Sequence, residues 1–136
     1  MPSCIFCDII NRKAEANIVY EDELVCCFLD KFPINPGHIL VVPKRHAVEF
    51  TEVDPKSLQS VILAAQKAAR AIESTLGTDG ITVMQNNGAF KDVEHYHMHI
   101  VPRYIGDGFG WTEPEIDAAT VDFHSLEKKF RGAMAE

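Results

Sequence analysis

Three of the chain's six histidines fall within five residues, in the stretch HYHMHIVPRY from His95 to Tyr104. As a strand, its period of two puts His95, His97, His99 and Val101 on one face and Tyr96, Met98 and Ile100 on the other. As a helix, the same imidazoles would fan out around the axis. The strand gathers them roughly 6–7 Å apart in sequence order. Whatever fold contains it must therefore supply a core for one face and a use for imidazoles on the other.

The rest of the chain supplies such a core. IVYED from Ile18 and ELVCCFLD from Glu23 are apolar stretches around an acidic turn, the pattern of a hairpin. PINPG is a turn, and HILVVP after it is a β-branched run ended by Pro43. Asp54 and Pro55 then form a helix start, with a capping side chain followed by proline at the first helical position. Leu58, Val61, Ile62, Ala65, Ala69, Ile72 and Leu76 recur at helical spacing, and Gly77 is a natural terminator. ITVMQNNG from Ile81 is a fourth strand entering a turn, and the histidine row is the fifth. A glycine-rich GDGFGW and a helix from about Ser125 close the chain. Five strands, one long helix, a short C-terminal helix and few crossovers predict an α+β domain with an antiparallel sheet, a single domain over residues 1–136.

Composition narrows the function. With 136 residues, 46% hydrophobic and 24% charged, the chain can bury a core without disulfides. No apolar run approaches the ~20 residues of a membrane span, and no signal-peptide pattern opens the chain, so a cytoplasmic protein without a membrane partner is expected. A net charge of −7 argues against general nucleic-acid binding. It permits a small phosphorylated ligand, because backbone N–H groups and neutral side chains also hold phosphate. Cys26 and Cys27, adjacent in an apolar run, are expected to be core thiols.

Three chemistries suit the histidine row. It can be a polar, solvent-facing strand surface, although its other face is strongly apolar. It can be a three-histidine catalytic metal site. Or metal-free imidazoles can do acid–base and nucleophilic work, since histidine titrates near neutrality and its ring nitrogen can attack phosphorus.

The motif resembles the His-x-His-x-His signature of the histidine-triad superfamily, in its nucleotide-phosphoramidase-like branch. CIFCDII, FLDKFPINPGHILVVPKRH and NNG resemble the family in the same order, so the resemblance spans Cys4 to about Trp111. It implies a nucleotide hydrolase or nucleotidyl transferase acting on the α-phosphate of purine nucleotide conjugates through a covalent nucleotidyl-histidine. A binding or scaffolding protein with little turnover is the alternative. His97 would be the nucleophile, its other ring nitrogen donating to a carbonyl in the turn near His38. His99 would assist the leaving group, and His38 matches the family's additional active-site histidine. Asp30 would accept the ribose hydroxyls, and Phe6, Ile9, Phe28 and Leu29 would line the base slot. Asn86 would lie on the leaving-group side, with Asn87 its substitute if the turn slips by one residue.

The sequence departs from the family in the segment before the triad. Relatives commonly carry a longer glycine-rich segment offering a hydroxyl or amide to phosphate, where this chain has GAFKDVEH. A carboxylate facing phosphate would repel it, so Asp92 is expected to turn away or to offer only its backbone N–H, with Lys91 compensating for its charge.

Cys4-x-x-Cys7 by itself is compatible with a redox pair, half of a metal site, or chance, although a thioredoxin-like element order is absent. The resemblance to zinc-bearing relatives adds His46, which ends PKRH, and His95. It implies one structural Zn2+ per chain held by Cys4, Cys7, His46 and His95. It also implies a homodimer joined through the long helix and fourth strand. Ala64, Ala65, Ala68 and Ala69 would permit close approach there, and Trp111 would reach toward the partner's site.

Overall fold

A computed structural model describes residues 3–136. A short helix α1 (Ile5–Ile10) leads into β1 (Ile18–Glu21), β2 (Val25–Leu29) and β3 (Ile39–Pro43). The long helix α2 (Pro55–Leu76), then β4 (Gly80–Met84), β5 (Met98–Arg103) and a C-terminal helix α3 (Phe123–Met134) follow. The five strands form one antiparallel sheet in the order β1-β2-β3-β5-β4. The expected α+β architecture is present. Among the described residues, no helix is long and apolar enough to cross a membrane.

Local chemistry accounts for the element ends. The acidic turn between β1 and β2 closes on Asp22, whose Oδ1 accepts from the Leu24 and Val25 N–H groups at 2.9 and 3.0 Å. Asp54 caps α2 by accepting from the Ser57 N–H at 3.0 Å, with proline in the first turn. Gly77, at φ +59°, ends α2 in the left-handed region where a Cβ costs energy. The six-residue α1 buries Phe6 and Ile9, three residues apart, a run too short for periodicity to predict a helix.

The sheet is covered on both faces, which is why β2 and β3 read as continuous apolar runs. Cys27, Ile39, Val41, Tyr96, Met98 and Ile100 pack with Val61, Ala64, Ala65, Ala68 and Ile72 of α2. On the opposite face Cys26, Phe28, Leu40 and Val42 pack with Phe6 and Ile9 of α1. Cys26 and Cys27 thus point to opposite faces as buried thiols, and burial pushes Cys27 up to about 12.

Two details correct the helix reading. Ile62 is exposed, as is Leu63, so the buried stripe runs through Val61, Ala64, Ala65, Ala68 and Ile72. Ala64, Ala65 and Ala68 serve the chain's own core, while Ala69 is half-buried. After β5, the glycine-rich segment is tied down by Arg103. Its guanidinium donates to both Asp107 oxygens (2.7 and 3.0 Å), to Thr82 Oγ1 and to the Phe109 carbonyl. That ion pair holds the Asp107 carboxyl well below the usual carboxylate range.

Candidate active site and metal centre

Alternation along the fifth strand sends Tyr96, Met98 and Ile100 to the α2 face and His97 and His99 to the α1 face. There the chain forms an open cleft of about 1110 Å³, lined by Phe6, Ile9, Phe28, Leu29, Asp30, His97 and His99 among others. Phe6 stands edge-on to both Phe28 (5.3 Å) and His97 (5.1 Å), joining the apolar slot to the imidazoles. A smaller, mostly apolar cavity of about 440 Å³ lies against α2 and holds none of the histidines.

Hydrogen bonds assign the tautomers. The Ile34 N–H donates to His38 Nδ1 (3.1 Å), so His38 carries its proton on Nε2 and donates it to His99 Nδ1 at 2.9 Å. His99 Nδ1 is therefore an acceptor, and a neutral His99 presents its Nε2–H. Burial lowers both rings from the ordinary histidine range, His99 to about 4, which keeps this pair neutral near pH 7. His38 is almost fully buried and acts from behind His99 without lining the cleft. Gly37 seats it: at φ +95°, an added Cβ would meet Leu76 Cδ1 at 2.6 Å.

His97 Nδ1–H donates to the carbonyl of His95 at 2.7 Å. The acceptor expected in the turn near His38 is not used. The regular ladder begins only at Met98, so the carbonyl two residues back is free to face the ring. This bond directs Nε2 to the cleft. There Nε2 meets Asp92 Oδ1 at 3.1 Å. Asp92 thus faces the imidazole and does not turn away as the sequence suggested. Lys91 does not neutralise it, because Lys91 lies 2.8 Å from Glu49 and 3.5 Å from Glu94.

Asn86 is exposed beyond β4 and lies outside the cleft lining. Asn87, its substitute, accepts from the Phe50 N–H (2.7 Å) and donates to Gln85 (2.9 Å), a role in holding the turn. Arg12, Lys13 and Lys31 line the cleft and were not singled out from the sequence, where isolated basic residues look like solvated surface. Arg12 pairs with Glu21. Trp111 is exposed and packs edge-on to Phe109 at 6.1 Å.

The first histidine has different neighbours. Cys4 caps α1 and Cys7 lies in its first turn, so both thiols face one side. His46 follows β3, and the four residues bring one ligand atom each within 4.8 Å of the others. Nδ1 of His95 lies 3.4 Å from Cys4 Sγ, 3.6 Å from Cys7 Sγ and 3.1 Å from His46 Nδ1, while His46 Nδ1 lies 3.3 Å from Cys7 Sγ. Ligand–metal bonds of ~2.1 and ~2.3 Å in a tetrahedron imply edges of roughly 3.3–3.8 Å. The geometry fits a divalent metal. His95 Nε2–H donates to the Pro43 carbonyl at 2.8 Å, which leaves its Nδ1 lone pair turned toward the thiols. Burial and the neighbouring Cys4 push the Cys7 thiol up to about 11, a penalty that a bound cation reverses. Two thiols and two imidazole lone pairs form a soft donor set suited to zinc. His95, His97 and His99 therefore do not converge on a single metal point.

The HIT domain family profile matches residues 11–106. The chain belongs to the HIT family. An uncharacterized HIT-like protein of Methanocaldococcus jannaschii is 42% identical, with 95% of this chain and 99% of the relative aligned. The crystal structure of a Zn-bound histidine triad family protein from Mycobacterium smegmatis superposes with a TM-score of 0.75 at 34% identity, covering 96% of this chain and 97% of that one. A histidine triad nucleotide-binding protein from Candida albicans superposes with a TM-score of 0.84 at 28% identity, covering 98% of each chain.

Proposed function

We propose that this HIT-family protein is a nucleotide hydrolase or nucleotidyl transferase, of the phosphoramidase-like branch, acting on the α-phosphate of purine nucleotide conjugates. The observation that carries this reading is the orientation of His97, whose Nδ1–H is held by the His95 carbonyl while Nε2 faces the cleft. The base enters the slot of Phe6, Ile9, Phe28 and Leu29, and Asp30 accepts the ribose hydroxyls. The α-phosphate takes the place of Asp92 at His97. The Nε2 lone pair then forms a bond to phosphorus as the bond to the leaving group breaks. The leaving group departs with its electron pair and takes a proton relayed through His99 Nε2. Water attacks phosphorus next, its proton returning through His99 Nε2, and the phosphorus–His97 bond breaks to release the nucleoside monophosphate and free His97. Positioning and hydrogen-bond donation supply most of the rate, as expected for phosphoryl chemistry.

A second reading, nucleotide binding with little turnover, draws support from Asp92, which occupies the face of His97 that a substrate must reach. Rapid quenching separates the two. With a labelled adenosine phosphoramidate, transfer through His97 traps one acid-labile nucleotidyl group per site, whereas a binder traps none.

We also infer a homodimer. The sheet ends at β4, whose outer edge pairs with no strand among the described residues. Val83 on β4 and Ile62 and Leu63 on α2 are more than half exposed, at 51, 52 and 65%. An unpaired edge strand and exposed apolar side chains are features that a two-fold partner covers by continuing the sheet. In that assembly Trp111 is free to reach the partner's site. Light scattering at micromolar concentration should give twice the chain mass, and a monomer would refute the assembly.

A further inference from the structure

We propose that Asp92 is a specificity-determining residue, a charge filter that favours cationic over anionic groups on the leaving side of the α-phosphate. This inference rests on the nucleotidyl-transfer reading and names its substrate class. Three observations support it. The Asp92 carboxylate lies 3.1 Å from His97 Nε2, so it remains close to any phosphorus that His97 engages. Its side chain is 77% exposed at the cleft, free to swing off the imidazole without leaving the site. Its own neighbour cannot neutralise it, because Glu49 and Glu94 hold Lys91, whose side chain is only 11% exposed.

The cleft's other charges leave that end to Asp92. Arg12, Lys13 and Glu15 follow α1 and Lys31 follows β2, the elements that carry the base slot, and Arg12 is already paired with Glu21. Asp30 lines the cleft next to Leu29 of the base slot, accepts from the Phe32 N–H at 2.9 Å and lies 3.6 Å from His38 Nε2. Asp92 and Val93 are the residues of the segment before the triad that line the cleft. A leaving group carrying extra phosphates or a carboxylate meets an anion that no lysine or arginine side chain pairs with, whereas an ammonium-bearing group gains a partner. In a half-screened site, each unit of leaving-group charge changes kcat/KM by about tenfold.

The test uses a matched pair of adenosine 5′-phosphoramidates, one N-linked to ethylenediamine with a cationic end, the other to β-alanine with an anionic end. Wild type should prefer the cationic amidate by about 100-fold at low salt, and the preference should shrink several-fold in 0.5 M salt. Asp92→Asn should reduce the ratio by at least tenfold, whatever common factor the variant applies to both substrates. Asp92→Ser should do the same. A ratio that stays within twofold of wild type in both variants overturns the filter, since a structural role for Asp92 would move both rates together. Should wild type cleave neither amidate, the nucleotidyl-transfer reading fails separately. The ratio of dissociation constants from calorimetry then decides the filter on the same criterion.

Discussion

His97→Ala is expected to lower kcat/KM for an adenosine phosphoramidate by about 10^4-fold or more, the scale seen when a covalent nucleophile is deleted. The loss should fall on kcat, because the truncated ring contributes to the reacting bond more than to the base slot or Asp30. Nucleoside monophosphate should still bind, with an affinity within several-fold of wild type, and the metal content should be unchanged, since the proposed zinc set of Cys4, Cys7, His46 and His95 omits His97. His99→Ala gives the contrasting pattern. Its Nε2–H is proposed to protonate the leaving group, so the loss should be small with an acidic leaving group and large with an alkylamine. Steady-state rates across a leaving-group series distinguish the two roles. Near-wild-type turnover by His97→Ala, or an adduct trapped on another residue, would refute the mechanism.

Much of this site was legible because strands have a rigid period. Once HYHMHI is read as extended, Tyr96, Met98 and Ile100 must share a face, and the structure buries all three against α2. Asp54-Pro55 and Gly77 marked the ends of the long helix for equally local reasons. What stayed hidden depends on contacts distant in sequence or on backbone detail. Cys4-x-x-Cys7 was ambiguous by itself. The family resemblance, and not the spacing, added His46 and His95, which the fold brings to it across 39 and 88 residues from Cys7. The acceptor for His97 lies two residues away, yet it depends on where the regular ladder begins. Asp92 was misjudged because a carboxylate beside a phosphate site was assumed to avoid it. Its contact with His97 Nε2, an ion pair whenever that ring is protonated, offers a reason for it to stay. Ile62 matched the helical period within a residue, but the smaller alanines faced the sheet and left it outside.

Replacing Cys4 and Cys7 together by serine should abolish metal binding, which in wild type is expected at one zinc per chain by atomic emission. Serine keeps the volume but supplies no thiolate, and two imidazoles alone do not hold a structural zinc. The melting temperature should fall by roughly 10 °C or more, because the site closes α1 and residue 46 onto the strand carrying the triad. The fold should survive, since α2 and five paired strands make a core that does not include the four ligands. Activity gives the more informative readout. His95 contributes its side chain to the metal cluster and its carbonyl to His97 Nδ1, so one residue links the two sites. Loosening His95 should therefore lower kcat by about tenfold through poorer aim of Nε2, while the trapped adduct still forms on His97. Cobalt substituted into wild type should show thiolate charge-transfer absorption that the double variant lacks. Wild type with no bound metal, or a double variant that retains its metal, would overturn the assignment.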